Sequence, residues 1–163
     1  MYSSVVGLKD ATSLLPAMKK GRNSHQDSTR PDQTLPKSKI LRGKRNFEQL
    51  FERSTVLKSP SVHLRYRLYS DPSKGCLMGF IAGKRLGNAV TRNRIKRLLR
   101  EVYRTHQHLL TDLFEEKRFG FHAVLMAMSP DVSCQELKKQ IVPLLHQARR
   151  QLLAFNPKTD RNT

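Results

Sequence analysis

Between Lys84 and Arg104 the chain carries eight Lys and Arg residues and a single acid, Glu101. Cations at that density repel one another, and they bring neither a nucleophile nor a proton acceptor to a bond. Their chemistry is the neutralisation of an anion, and the arginine fork in particular suits bidentate contact with phosphate and stacking on bases. At 100° per residue from Arg92, the positions Lys96, Arg100, Asn93, Arg104 and Arg97 fall within an arc of about 140°. Ile95, Leu98, Leu99 and Val102 fall on the opposite arc. One face of such a helix is core and the other a ridge of charge. A solvated charged face normally mixes both signs, so the near absence of acid here points to polyanion binding. Phosphate contacts carry affinity and no sequence information, so the ridge is expected to read backbone shape.

No catalytic constellation accompanies the ridge. The six histidines (His25, His63, His106, His108, His122 and His146) are scattered. No Ser or Cys is spaced to form a nucleophile–base pair, and no carboxylates cluster at metal-ligand spacing. Cys76 and Cys134 are single and far apart, unlike the paired cysteines of a zinc ribbon or disulfide framework. Gly79, Gly83 and Gly87 lack the spacing of a nucleotide-binding loop. The expectation is a binding protein with no catalytic residue, metal or cofactor of its own.

Charge and size agree with that. Across 163 residues, 31 Lys and Arg oppose 13 Asp and Glu, a formal net charge of +18. Such an imbalance strains a compact chain unless an anionic partner relieves it. No apolar stretch approaches the ~20 residues of a spanning helix, and the N-terminal apolar pieces are interrupted by Lys9 and Asp10, unlike a signal peptide. A soluble, cytoplasmic protein is expected. Membrane-surface binding is the competing use of a basic amphipathic helix, but this apolar face carries neither Trp nor Phe and is needed for the protein's own core.

The elements that must hold the ridge follow from periodicity. Residues 1–38 are rich in polar residues and Pro with no apolar period, which predicts a disordered extension. The extension holds six Lys/Arg and three Asp/Glu, so about +15 remains on the rest. Residues 39–155 are expected to form one domain, and 156–163 a disordered tail. Phe47, Leu50 and Phe51 at helical spacing predict a short first helix over 45–53. The run 62–69 alternates, with Val62, Leu64, Tyr66 and Leu68 on one side and His63, Arg65, Arg67 and Tyr69 on the other, as a half-buried strand does. After the turn residues Asp71 to Gly75, the apolar run 76–82 predicts a second strand, paired with the first as a hairpin. An additional short strand before Val62 is left open by periodicity.

A helix from about Asn88 to His108 is followed by a polar connection at Glu115 to Arg118. The continuous apolar run 122–128 then reads as a central strand covered on both faces. Ser133 and Glu136 form a capping box opening a last helix that runs to about Leu153, with Pro143 expected to kink or divide it. The fold class is α+β: a single two-layer domain in the order α-β-β-(β)-α-β-α. Phe47 and Phe51, with Arg65 and Tyr66 or Arg67 from the strand, could form a stacking platform for single-stranded bases. Aromatics four apart on a helix are also common in cores.

The segment from Gly79 to Glu101, GFIAGKRLGNAVTRNRIKRLLRE, closely resembles the signature of the bacterial ribonuclease P protein subunit. The likeness extends more weakly over residues 40 to about 153, including Leu41 to Phe51 with its two Phe. It implies an RNA-binding subunit that assists a catalytic RNA in removing the 5′ leader from precursor tRNA, with Mg²⁺ held by the RNA and not by the protein. The partners implied are the ribonuclease P RNA and precursor tRNA, with no membrane and no dedicated protein partner. The RNA-facing residues implied are Lys84, Arg85, Asn88, Arg92, Asn93, Arg94, Lys96, Arg97, Arg100 and Arg104. The leader cleft implied comprises Phe47, Phe51, Arg65, Tyr66 and Ile81. The resemblance also implies a left-handed βαβ crossover, against the usual rule. The chain departs from the family at Gly83, where a small hydroxyl residue is usual, at Arg85, often Lys, and at Met128, often Lys or Arg. The alternative is a ribosomal or other structural RNA-binding protein; a self-sufficient nuclease is the third reading.

Overall fold

The computed structural model describes residues 33–115 and 119–155. Its main elements are α1 (Lys44–Glu52), β1 (Thr55–Lys58), β2 (Val62–Tyr69), β3 (Cys76–Ala82), α2 (Ala89–His106), α3 (His108–Glu115), β4 (Gly120–Ala127) and α4 (Cys134–Ala154). The four strands form one sheet in the order β1-β2-β4-β3. β4 pairs antiparallel with β2 and parallel with β3, so its continuous apolar run has strands on both edges and side chains on both faces.

The hairpin expected between β2 and β3 does not form, because β4 lies between them. The turn that suggested it is real. Asp71 accepts hydrogen bonds from the Ser73 amide and hydroxyl, and Gly75 reverses the chain at φ 65°. The turn bridges over the start of β4 instead of closing a two-strand ribbon, and Phe121 N–H donates to the Gly75 carbonyl at 2.9 Å. A Cβ at Gly120 would stand 2.7 Å from the Lys74 Cβ and 2.8 Å from the Asp71 carbonyl, so only glycine lets β4 pass beneath.

The main core fills the space between one sheet face and the helices α2, α3 and α4. Val62, Leu64 and Tyr66 of β2, Phe121, Ala123 and Leu125 of β4, and Met78 of β3 meet Ile95, Leu99 and Val102 of α2 and Leu137, Ile141 and Leu145 of α4 there. The other face carries a smaller cluster, Leu41, Leu50 and Val124, flanked by Phe47, Leu77, Ile81 and Met126. α1 covers part of that face and leaves Leu77, Ile81 and Met126 half-buried.

Three expectations are amended. The short strand left open is β1, at the sheet edge. The region after His106 forms a separate helix, α3, whose Leu110 is fully buried. Pro143 does not divide α4, which is continuous through it; the proline is exposed, so the carbonyl it leaves unpaired can meet water. The predicted N-terminal extension also ends sooner than residue 38. Arg104 donates to the Gln33 carbonyl and Gln107 to the Thr34 carbonyl, Leu35 packs on the main core, and Ile40 bridges Met78 at the free edge of β3. Residues 1–32 and 156–163 lie outside the described residues.

Candidate nucleic-acid interface

α2 is built to hold cations outward. Leu86, buried among core residues, anchors the short 3-10 turn Lys84–Leu86 that leads into it. Asn88 caps the helix, its side chain accepting from the Thr91 amide at 2.9 Å. Ile95, Leu99, Val102 and Tyr103 are buried, and Leu98 is half-buried against the same core. Lys84, Arg85, Asn93, Arg94, Arg97 and Arg100 are exposed, whereas Arg92 and Lys96 are half-buried at the edge of the apolar face. No acid occupies the first turn, so the helix dipole adds to the positive potential there.

Several predicted residues also have duties within the protein. Arg92 donates to the Gly87 carbonyl at 2.9 Å, which braces the loop before the helix. The Arg100 guanidinium lies 5.6 Å from the centre of the Phe80 ring. Arg104 makes two hydrogen bonds to the Glu101 carboxylate, at 2.6 and 3.0 Å, besides the one to Gln33. Its guanidinium is therefore largely spent within the protein, on Glu101 and on the N-terminal segment. The carboxylate's pKa falls below its usual range through that contact. Asn88 has its amide oxygen committed to capping.

Across the molecule lies the sheet face that α1 only partly covers, called the groove below. Phe47 packs on it at Gly79, where a Cβ would meet the Phe47 ring and the Val124 side chain at 3.1 Å. Gly79 thus sets how deeply α1 seats. Phe51, one turn on, stays 36% exposed, and the Arg65 guanidinium lies 5.1 Å from its ring centre. Arg67 donates to the Gln49 carbonyl at 2.6 Å, tying β2 to α1, and its guanidinium sits 5.0 Å from the Tyr69 ring. Ile81 and Met126 are half-buried on the same face.

Tyr66 does not belong to this groove. It is 3% exposed on the opposite face, where its hydroxyl donates to the Gln151 side chain and its ring packs on Phe121. The period of two in β2 already separated Tyr66 from Arg65, so Arg67 is the residue that stands beside it. Lys58 and His63, which sequence reasoning passed over, also belong to the groove face. They pair across β1 and β2; the alternation of β2 already set His63 beside Arg65, and Lys58 follows only from the pairing.

At the other end of the groove, the His122 ring meets Tyr69 at a tilt of 59° with ring centres 4.7 Å apart, and its Nε2 meets the Lys74 carbonyl at 3.1 Å. Burial pushes its pKa below the ordinary histidine value. Among the described residues, no three His, Cys, Asp or Glu side chains are grouped to hold a metal ion, and no helix is long and apolar enough to cross a membrane. Chemically, the exposed cations along α2 suit anionic groups, and Phe51 with Arg65 presents an aromatic surface and a cation side by side.

Comparison with known proteins bears on this geometry. The family model for ribonuclease P matches residues 35–149. The ribonuclease P protein component of Nitrosomonas eutropha is 33% identical over 123 residues, covering 73% of this chain and 94% of its own length. That of Bacillus velezensis is 30% identical over 66% of this chain and 86% of its own. Among solved structures, the RNase P protein of Staphylococcus aureus aligns with a TM-score of 0.54 at 18% identity, covering 68% of this chain and 94% of its own. The Thermotoga maritima RNase P protein aligns at 0.53 and 21%, covering 66% and 96%. At those identities the structures speak to the fold alone, which they share with the sheet and helices described above.

Proposed function

Because the chain belongs to the ribonuclease P protein family, we propose that it binds the ribonuclease P RNA through α2 and its preceding loop, and holds the single-stranded 5′ leader of precursor tRNA in the groove between α1 and the sheet. The RNA subunit and its Mg²⁺ ions carry out the hydrolysis that frees the leader. The protein contributes cations that would otherwise have to be recruited from solution, which lowers the Mg²⁺ demand. Its place of work is the cytoplasm, where precursor tRNA is made in bacteria.

The observation that carries this reading is the division of α2 into a buried apolar face and an exposed face of Arg and Lys whose one acid, Glu101, is engaged by Arg104. The groove supports the second half: an exposed aromatic ring with a guanidinium over it offers a base a surface to stack on. Reconstitution tests the whole. The ribonuclease P RNA of the same organism, transcribed and mixed with this protein, should cleave precursor tRNA at Mg²⁺ concentrations where the RNA alone is slow. No stimulation would overturn the proposal, and cleavage by the protein without RNA would replace it with a protein nuclease.

A further inference from the structure

One end of the groove gathers cations from three separate elements. Lys58, the last residue of β1, stands opposite His63 of β2, and His63 stands opposite Met126 of β4. Met128, just beyond β4, is held by its N–H to the Ser61 carbonyl at 2.9 Å, and the Arg85 guanidinium from the loop after β3 reaches its sulfur at 3.8 Å. Arg65 follows His63 by two residues on the same face. Among the described residues, the charged groups that face His63 are therefore Lys58, Arg65 and Arg85, all of one sign. The β4 residues beside it, Met126 and Met128, are uncharged. The ion pairs among the described residues, Lys44–Glu48, Glu101–Arg104 and Asp112–Arg149, involve none of these four.

Four basic side chains that converge without a carboxylate repel one another, and the arrangement is relieved only when an anion sits among them. Lys58 and Arg85 are exposed, while His63 and Arg65 are half-buried over the apolar floor of Met126. An anion that entered would be partly desolvated, where charge-assisted hydrogen bonds are strong. Arg65 is the residue that covers Phe51, and Arg85 opens the loop into α2. The cluster thus lies between the stacking surface and the basic ridge, where a strand passing from one to the other has to place its backbone.

We propose that Lys58, His63, Arg65 and Arg85 form a binding site for a phosphodiester of single-stranded RNA, and that His63 engages it as imidazolium. The inference rests on the reading of the groove as a track for single-stranded RNA. In the free protein, burial first and then the three neighbouring cations hold His63 below its ordinary value of 6.5, so it is neutral at pH 7. A phosphate among those groups favours the charged ring and raises the pKa again. Binding then takes up a proton. Affinity is lowest above the bound-state pKa and climbs as pH falls through it towards the free-state value.

Binding of the full chain to a labelled oligouridylate tests this, because uracil does not protonate in the range used. From about pH 8 to about pH 5.5 the wild type should gain roughly tenfold in affinity, the scale of one hydrogen bond to a charged group. His63→Gln should lose most of that gain, and His63→Lys should bind tightly at every pH, a result that a variant damaged in folding would not give. A flat wild-type profile, or the same rise in His63→Gln, would overturn the site. If the wild type stimulates precursor tRNA cleavage at low Mg²⁺ while its pH profile is flat, only this site falls. If it does not stimulate, the underlying function falls first.

Discussion

The Arg65 guanidinium covers the Phe51 ring at 5.1 Å from its centre, so the two residues at the mouth of the groove come as a pair and neither is buried. An aromatic ring that keeps 36% of its surface exposed gains little for the fold and leaves room for a planar partner. Phe51→Ala should therefore cost little stability and weaken the binding of leader-bearing precursor tRNA by ~1 to 3 kcal/mol per stacked base. Affinities of the reconstituted enzyme for substrates with and without the leader would check this. Equal losses on both substrates would place Phe51 outside the leader path.

The cations of α2 should not be equivalent. Arg97 is exposed and makes no hydrogen bond among the described residues, whereas Arg104 is held by Glu101 and the Gln33 carbonyl. Arg97→Ala should lower affinity for the ribonuclease P RNA and reduce the slope of log affinity against log salt by ~0.7 to 0.9, one phosphate contact. Arg104→Ala should leave that slope almost unchanged and loosen the N-terminal segment instead. Filter binding over a salt series separates the two, and equal changes of slope would contradict the assignment.

The contrast between those arginines marks where sequence reasoning stops. The pattern of α2 placed every basic residue of the helix except Arg94 on the outward arc, because the period of 3.6 is a local property of the chain. That Arg104 also donates to the Gln33 carbonyl, seventy-one positions away, has no local signal. Strand pairing was hidden for the same reason. The runs 62–69 and 76–82 match β2 and β3 residue for residue, but a turn between two strands does not reveal that a third, from 120–127, will enter between them. β1 is only four residues long, too short for an alternation to show. Tyr66 is different. Its burial opposite Arg65 followed from the period of two, and naming both for one cleft set that rule aside.

The seat of α1 depends on Gly79. A Cβ there meets the Phe47 ring and Val124 at 3.1 Å, closer than side chains pack without moving. Gly79→Val adds more than that single atom, so α1 should be lifted from the sheet at a cost of about 1 to 3 kcal/mol, as overpacked cores show. Urea unfolding measures the loss, and leader affinity should fall with it because Phe47 and Phe51 share the helix. Unchanged stability would mean that Phe47 does not rest on β3.

His122 gives the fold an acid limit. It is 4% exposed, its Nε2 meets the Lys74 carbonyl, and its Nδ1 lies buried beside Tyr69 without a partner among the described residues. With Nε2 facing an acceptor, the ring is neutral with its proton there. Burial is the main cause of its lowered pKa; the hydrogen bond to the Lys74 carbonyl opposes it, and the Lys74 and Arg67 charges add smaller repulsions. The unfolded chain therefore takes up a proton at this position more readily than the folded one. The corresponding stability is fully present above the unfolded value of about 6.5 and is lost as pH falls below it towards the folded pKa. His122→Leu removes the titrating ring and keeps an apolar side chain against Tyr69. Its unfolding free energy should fall less between pH 7.5 and pH 5 than that of the wild type, by chemical denaturation at each pH. Parallel declines in the two proteins would assign the acid sensitivity to other groups.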